Sequence, residues 1–376
     1  MNTKDILKAS VAGAALFAVA MPAATPASAS SDLVKSGNKN SLTMSGQVNR
    51  GVLYMNDGED DAIAHVDNDN SSTRVRWIGK GKLNEAVTFG TNIEMQAESN
   101  STAQVSIQNH DSLNSGTNGF NQRKLELYID HKQFGRLWVG QGDPASNGTA
   151  EVDLSGSSVI GYSGNTDASG AVAFRTSGGA ISTKTNGGVN TNFDGISRND
   201  RIRYDTPSFG GFKLGVTHTS RNMWDVAGRY SGKFGGVKVS GAVAYANYAG
   251  GSTTIKSQVN GSISVKHDSG LGVMFSAGKR DMKAAGRNDP DGYYVKLFYD
   301  ANLFSVGTTA MLIDYSDRSD VNANGDEANV FTAGVVQKLN SIGSEMYLSF
   351  KYYTLDNNTT NYDDIIAVLA GARVKF

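Results

Sequence analysis

The stretch AVTFGTNIEMQAES, residues 86–99, divides into two sets by parity. Val87, Phe89, Thr91, Ile93, Met95 and Ala97 fall on one, while Thr88, Gly90, Asn92, Glu94, Gln96 and Glu98 fall on the other. A β-strand sends alternate side chains to opposite faces, so this is a ribbon with one apolar and one polar side, whereas a helix would mix the two sets.

The alternation recurs along most of the chain. RKLELYID (123–130) separates Leu125, Leu127 and Ile129 from Lys124, Glu126, Tyr128 and Asp130, and GYYVKLFYD (292–300) sets Tyr293, Val295, Leu297 and Tyr299 against Tyr294, Lys296 and Phe298. The last twelve residues, IIAVLAGARVKF (365–376), place Ile366, Val368, Ala370, Ala372, Val374 and Phe376 on one face, while the other ends in Arg373 and Lys375.

Connections alternate in length. KQFGR (132–136), SFGGF (208–212), KFGGV (233–237), DSGLG (268–272), DANLF (300–304) and NSIGS (340–344) are short. Most of them carry the glycine that a tight hairpin needs for positive φ. The segments 56–71, 99–119, 142–198, 282–291, 316–327 and 356–364 are long and polar. Tight turns at one end and loops at the other predict an up-and-down antiparallel sheet of about sixteen strands, an even number that lets the first strand pair with the last and leaves no edge.

Strand interiors carry Arg74, Arg76, Glu94, Glu98, Lys124, Glu126, Asp130, Arg201, Arg203, Asp205, Lys213 and Lys266 on their polar faces. So many charges need water or one another, which a wide wet lumen provides. The longer strands match the roughly 9–11 residues with which a tilted strand crosses a bilayer. The apolar faces are therefore expected to meet lipid, making the chain an all-β transmembrane barrel. A secreted or surface β-sandwich adhesin is the competing reading, since it would expose the charged faces to solvent and bury the apolar ones.

The chain has 376 residues, no cysteine and a formal net charge of −1. It therefore has no thiol chemistry and no basic nucleic-acid footprint. Residues 1–29 have a cationic start, an apolar run ASVAGAALFAVAM and small residues at Ala27 and Ala29, the pattern of a cleaved secretory signal peptide. Residues 30–376 are then one domain. No helical span is present after residue 29, because no run of about 18 apolar residues occurs there. DVNANGDEANVF (320–331) has calcium-loop spacing at Asp320, Asn322 and Asn324, but Phe331 stands where the bidentate acid belongs, so no metal site is expected. The histidines at 65, 110, 131, 218 and 267 lack partner spacing, and no catalytic constellation or cofactor site can be assembled.

Four fragments taken in order, LTMSGQVNRGVLYMNDG (42–58), STRVRWIGKGKLNEAVTFGTNIEMQ (72–96), RKLELYIDHKQFGRLWVGQGDPAS (123–146) and LAGARVKF (369–376), resemble the general bacterial outer-membrane porins. The resemblance implies a water-filled channel for passive diffusion of ions and small hydrophilic solutes in the outer membrane of a Gram-negative bacterium. It also implies a homotrimer among outer-membrane lipid and lipopolysaccharide, with the third long loop folded inward after strand five to narrow the pore. On this resemblance residues 142–198 are expected to be that loop.

Transfer of the family's wall cations reaches Arg74, with Arg76 on the same face; Arg50 stands three positions from the family's strand-one cation, and Arg198, Arg201 and Arg203 are further candidates. Glu151, Asp153 and Asp167 are the acidic candidates on the loop, with Glu94, Lys124 and Glu126 on the lumen wall. Phe376 resembles the terminal signal read by the barrel-assembly machinery. The sequence departs from the family at Gln47 and Gln141, where wall cations are usual, and charges on wall and loop nearly balance.

Overall fold

The computed structural model describes residues 38–111 and 119–376. The expected signal peptide and part of the 99–119 segment lie outside the described residues. The strands are β1 (Ser41–Asn56), β2 (Asp61–Asp67), β3 (Arg74–Lys82), β4 (Val87–Glu98), β5 (Gly119–His131), β6 (Gly135–Gly142), β7 (Ala173–Arg175), β8 (Ile181–Thr185), β9 (Asn199–Asp205) and β10 (Phe212–Thr219). They continue with β11 (Trp224–Phe234), β12 (Val237–Asn247), β13 (Ile255–His267), β14 (Leu271–Met282), β15 (Asp291–Phe304), β16 (Gly307–Ser319), β17 (Asp326–Leu339), β18 (Ser344–Asn357) and β19 (Ile365–Lys375).

All except β7 and β8 join one antiparallel sheet. It closes where β1 meets β19, with Gln47 opposite Lys375 and Asn56 opposite Ile366. β2 and β3 both pair with β1, over Arg50–Asn56 and Ser41–Gln47 respectively. They are two halves of a single position in the ring, which therefore has sixteen positions. Every strand of the ring except β2, which pairs along one edge with β1, has a hydrogen-bonded neighbour on both sides, the condition for crossing a hydrocarbon layer.

Two boundaries differ from the sequence reading. Segment 56–71 is not only a loop: it contains β2 and then a break at Asp69–Ser71, built from the turn-forming run DNDNSS. Inward-facing side chains of β1 hold this break, Gln47 donating to the carbonyl oxygens of Ser71 and Ser72 at 2.9 and 2.8 Å, and Asn49 to that of Ser71 at 2.9 Å. The hairpin expected at 300–304 also lies further on. β15 runs through Phe304 with an irregularity after Ala301, and the chain turns before Gly307, whose φ is +151°.

The faces are assigned as expected. Leu125 and Val295 are 51% and 38% exposed on the outside of the ring, whereas Glu94 on the opposite face is 1% exposed. Val368, on the outward parity of β19 with Tyr54 and Phe350 beside it in register, is only 6% exposed. A sandwich would bury the Leu, Val, Ile and Phe positions that here form the outer belt. At the terminus the Phe376 backbone pairs reciprocally with Gly46, at 2.8 and 3.0 Å, and its ring lies over that glycine, where any Cβ would come within 2.5 Å of it.

Candidate functional site

β6 and β9 are hydrogen-bonded neighbours, so the intervening segment 143–198 must leave the ring and return to almost the same place. It does so inside the barrel, attached to the inner faces of successive strands. Ala145 N–H donates to Thr217 of β10 at 2.8 Å and Ser146 N–H to Asp225 of β11 at 3.0 Å. Val152 and Leu154 N–H donate to Ser262 and Ser264 of β13 at 2.9 and 3.1 Å. Lys296 of β15 donates to Asp153, Ser155 and the Gly161 carbonyl at 2.6, 3.0 and 2.8 Å. Asn165 reaches Ser316 of β16 at 2.8 Å, and Tyr353 of β18 donates to the Ala168 carbonyl at 2.9 Å. The segment contains the hairpin β7–β8 and returns with Phe193 and Asp194, whose carbonyls both accept from Gln258 of β13 at 2.7 Å.

Apolar packing seals this half of the lumen. Val159, Ile160, Val172, Phe174 and Val189 of the segment share one buried cluster with Leu53 and Met55 of β1, Leu312 of β16 and Leu369 of β19. Each such side chain contributes roughly 1.5–3 kcal/mol when fully buried.

The rest of the interior is open. A cavity of 920 Å³ lies between the segment and the inner wall of β3–β5. On the wall side it is lined by Arg74, Arg76, Glu94, Arg123 and Lys124, with Asp143 and Arg198 from the two ends of the segment. On the segment side are Glu151, Tyr162, Asp167 and Asp194, and Arg280 of β14 and Asp69 of the β2–β3 break complete the rim.

Glu94 accepts from Arg76 Nε at 2.8 Å and from Arg123 Nε at 2.7 Å. Lys124 pairs with Asp143. Arg74 and Arg198 lie at 3.7 and 3.8 Å from these same two acids. The segment's carboxyls have neutral donors instead. Asn192 donates to Glu151 at 2.6 Å, Gly148 and Ala150 N–H donate to Asp194 at 2.6 and 3.0 Å, and the Tyr162 hydroxyl donates to Asp167. Burial, reinforced by Asp194, pushes the Glu151 carboxyl up to about 8. Burial, with Asp69 and Glu151 nearby, also raises Asp167.

Of the residues singled out from sequence, Arg74, Arg76, Arg198, Glu94, Lys124, Glu151 and Asp167 do meet at this cavity. Others are elsewhere. Arg50 pairs with Asp67 at 2.5 Å, on the β1 parity of Val48, opposite Asn49 and Leu53. Arg201 is buried against Glu126 and donates to the carbonyl oxygens of Asp143 and Gly140, and Arg203 donates to those of Asp143 and Pro144. These two clamp the start of the segment. Asp153 is held by Lys296 under the segment.

Arg123 and Arg280 line the cavity outside the set read from sequence. Simple alternation puts Arg123 with Leu125 on the outer face, but a register shift between Glu94 and Met95 turns it inward. Arg280 shares the inward parity of Met274 and Ser276 on β14, a signal present in the sequence. The 320–326 loop is filled by protein cations: Arg287 donates to the Asp320 and Val321 carbonyls and Lys184 pairs with Asp326. Among the described residues no group of three His, Cys, Asp or Glu is placed to hold a metal ion.

The anion-selective porin from Comamonas acidovorans superimposes with a TM-score of 0.61 at 15% identity, over 90% of this chain and all of that one. OmpT of Vibrio cholerae, in a trimer form, gives 0.57 at 12% over 90% and 100%, and a mutant of Rh. blastica porin gives 0.55 at 16% over 89% and 100%. None of the curated proteins matches the chain. The family model of Gram-negative porins matches residues 13–358. The chain belongs to the Gram-negative porin family, as an outer-membrane β-barrel channel for passive diffusion.

Proposed function

We propose that segment 143–198 is the constriction of this channel and that solutes cross between its inner edge and the β3–β5 wall. One observation carries this reading: the segment is tied to the inner faces of β10, β11, β13, β15, β16 and β18, so the cavity beside it is the passage left open. Arg74, Arg76, Arg123, Lys124 and Arg198 line one side and Glu151, Asp167 and Asp194 the other. Opposed charges across a narrow wet neck order water and small dipolar solutes, which sets what passes without any chemical step. Arg201, Arg203 and Asp153 act in this reading as structural ties around the neck, while Arg50, on the outer parity of β1, fastens β1 to Asp67.

The working unit is a homotrimer seated in lipid and lipopolysaccharide, exported by the signal peptide at residues 1–29 and delivered to the barrel-assembly machinery through the Phe376 terminus. Supporting these assignments are the trimer form among the structural neighbours, the leader composition and the ring of Phe376 lying over Gly46. Purified protein in a planar bilayer should give stepwise conductance that grows in proportion to salt. A folded, heat-modifiable protein that never conducts would defeat the proposal.

A further inference from the structure

We infer that the neck passes anions in preference to cations, and that this preference weakens in alkaline solution. The inference rests on the constriction reading above and deepens it to a class of solute.

The warrant is the pairing at the cavity. Its six basic side chains share two committed acids: Glu94 engages Arg76 and Arg123, and Asp143 engages Lys124. Arg74 and Arg198 stand further off, at 3.7 and 3.8 Å from those already engaged carboxylates. Arg280 has no carboxylate partner among the described residues. It donates to Gln258 Oε1 at 2.7 Å and Thr191 Oγ1 at 3.2 Å and lies over the Phe193 ring at 5.2 Å. Arg74, Arg198 and Arg280 therefore offer positive charge to the lumen.

The opposing acids do not cancel it. Glu151, Asp167 and Asp194 accept from an amide, a hydroxyl and backbone N–H groups, Asp69 stands on the same rim, and no cation lies within ion-pair distance of these four among the described residues. Glu151 faces Asp194 and Asn192 on its own segment, with Asp143 and Arg198 at the segment's ends. Crowded carboxyls without cations keep their protons longest, so near neutrality this wall is less negative than its composition suggests. The Glu151 carboxyl, held up to about 8 chiefly by burial, is neutral below that pH and ionises above it. Raising the pH through this range adds negative charge to the neck, while the guanidinium groups stay protonated.

The experiment uses the full native protein in planar bilayers across a potassium chloride gradient at pH 6, 7.5 and 9. Absence of conductance in folded protein would fault the channel reading itself, separately from this inference. Chloride preference at pH 6, falling at least about fivefold by pH 9, is expected, since a unit charge at about 4 Å in water changes local chloride occupancy alone by that factor. Glu151→Gln should shrink the pH dependence to the part carried by Asp167, and Arg74→Gln should reduce the preference at every pH, with Arg74→Lys restoring most of it. Cation preference at pH 6 would overturn the inference. Anion preference that ignores pH in the native protein would overturn its alkaline half.

Discussion

The inner face of this barrel is two surfaces. Along β15–β19 and β1 it is dry: Leu53, Met55, Tyr294, Phe298, Leu312, Tyr353, Ile365 and Leu369 are buried under the inserted segment, and the few charges there are enclosed. Along β3–β5 it is wet, and Arg74, Arg76, Arg123, Lys124 and Glu94 face the cavity. Both sectors use the same inward parity of strands of similar length. The difference comes from what lies opposite, chain or water. In the dry sector an ion pair acts as a fastener, and in the wet one it sets the field of the passage.

That contrast is most sharply tested at Lys296, whose side chain is fully buried and whose single ammonium holds Asp153, Ser155 and Gly161. Lys296→Met should leave Asp153 buried without its partner, a loss of about 3–5 kcal/mol in barrel stability. It should also release the segment, raising unit conductance and current noise. Heat-modifiability on gels and bilayer recordings read the two effects. Adding Asp153→Leu should recover most of the stability, since an apolar pair of similar volume replaces a buried ion pair at little cost. A single variant as stable and as quiet as the native protein would erase the distinction between the sectors.

The wet counterpart is Lys124 with Asp143, both partly exposed in the cavity. Lys124→Met should cost at most about 1 kcal/mol, because water and nearby Arg198 take over the solvation of Asp143. Its visible effect should be on reversal potential, toward cations, with unit conductance little changed. A stability loss as large as that at Lys296 would mean the wall is braced by this pair.

The two sectors also differ in how much of them could be read from sequence. Strands with a charged face, such as the Lys124, Glu126 and Asp130 side of β5, declare inside and outside at once, because ionic groups cannot face lipid. β19 does not: Ile365, Ala367 and Leu369 point in while Ile366, Val368 and Ala370 point out, and only Arg373 and Lys375 mark the lumen side. An apolar inward face becomes intelligible once a loop is known to pack on it, which is a long-range fact. The same limit explains the residues assigned to the neck that serve elsewhere. Arg201, Arg203 and Asp153 carry the right charge near the right place, but their partners are the backbone of residues 140–144 and a lysine on β15, far away in sequence. Arg123 was hidden by a local irregularity of one residue, which alternation cannot foresee.

The finest probe of the contrast is Tyr162, which lines the cavity while its hydroxyl donates to Asp167 on the same segment. Tyr162→Phe keeps the ring and removes one hydrogen bond, about 1 kcal/mol. The donor favours the charged carboxylate, so its loss disfavours ionisation at a group that burial, Asp69 and Glu151 already push up. The sign follows: Asp167 should stay protonated to higher pH, and the alkaline fall in anion preference should begin later than in the native channel while conductance is unchanged. Should the fall begin earlier, the tyrosine would be acting on the segment's position and not on its charge, and Tyr162 would belong with the fasteners of the dry sector.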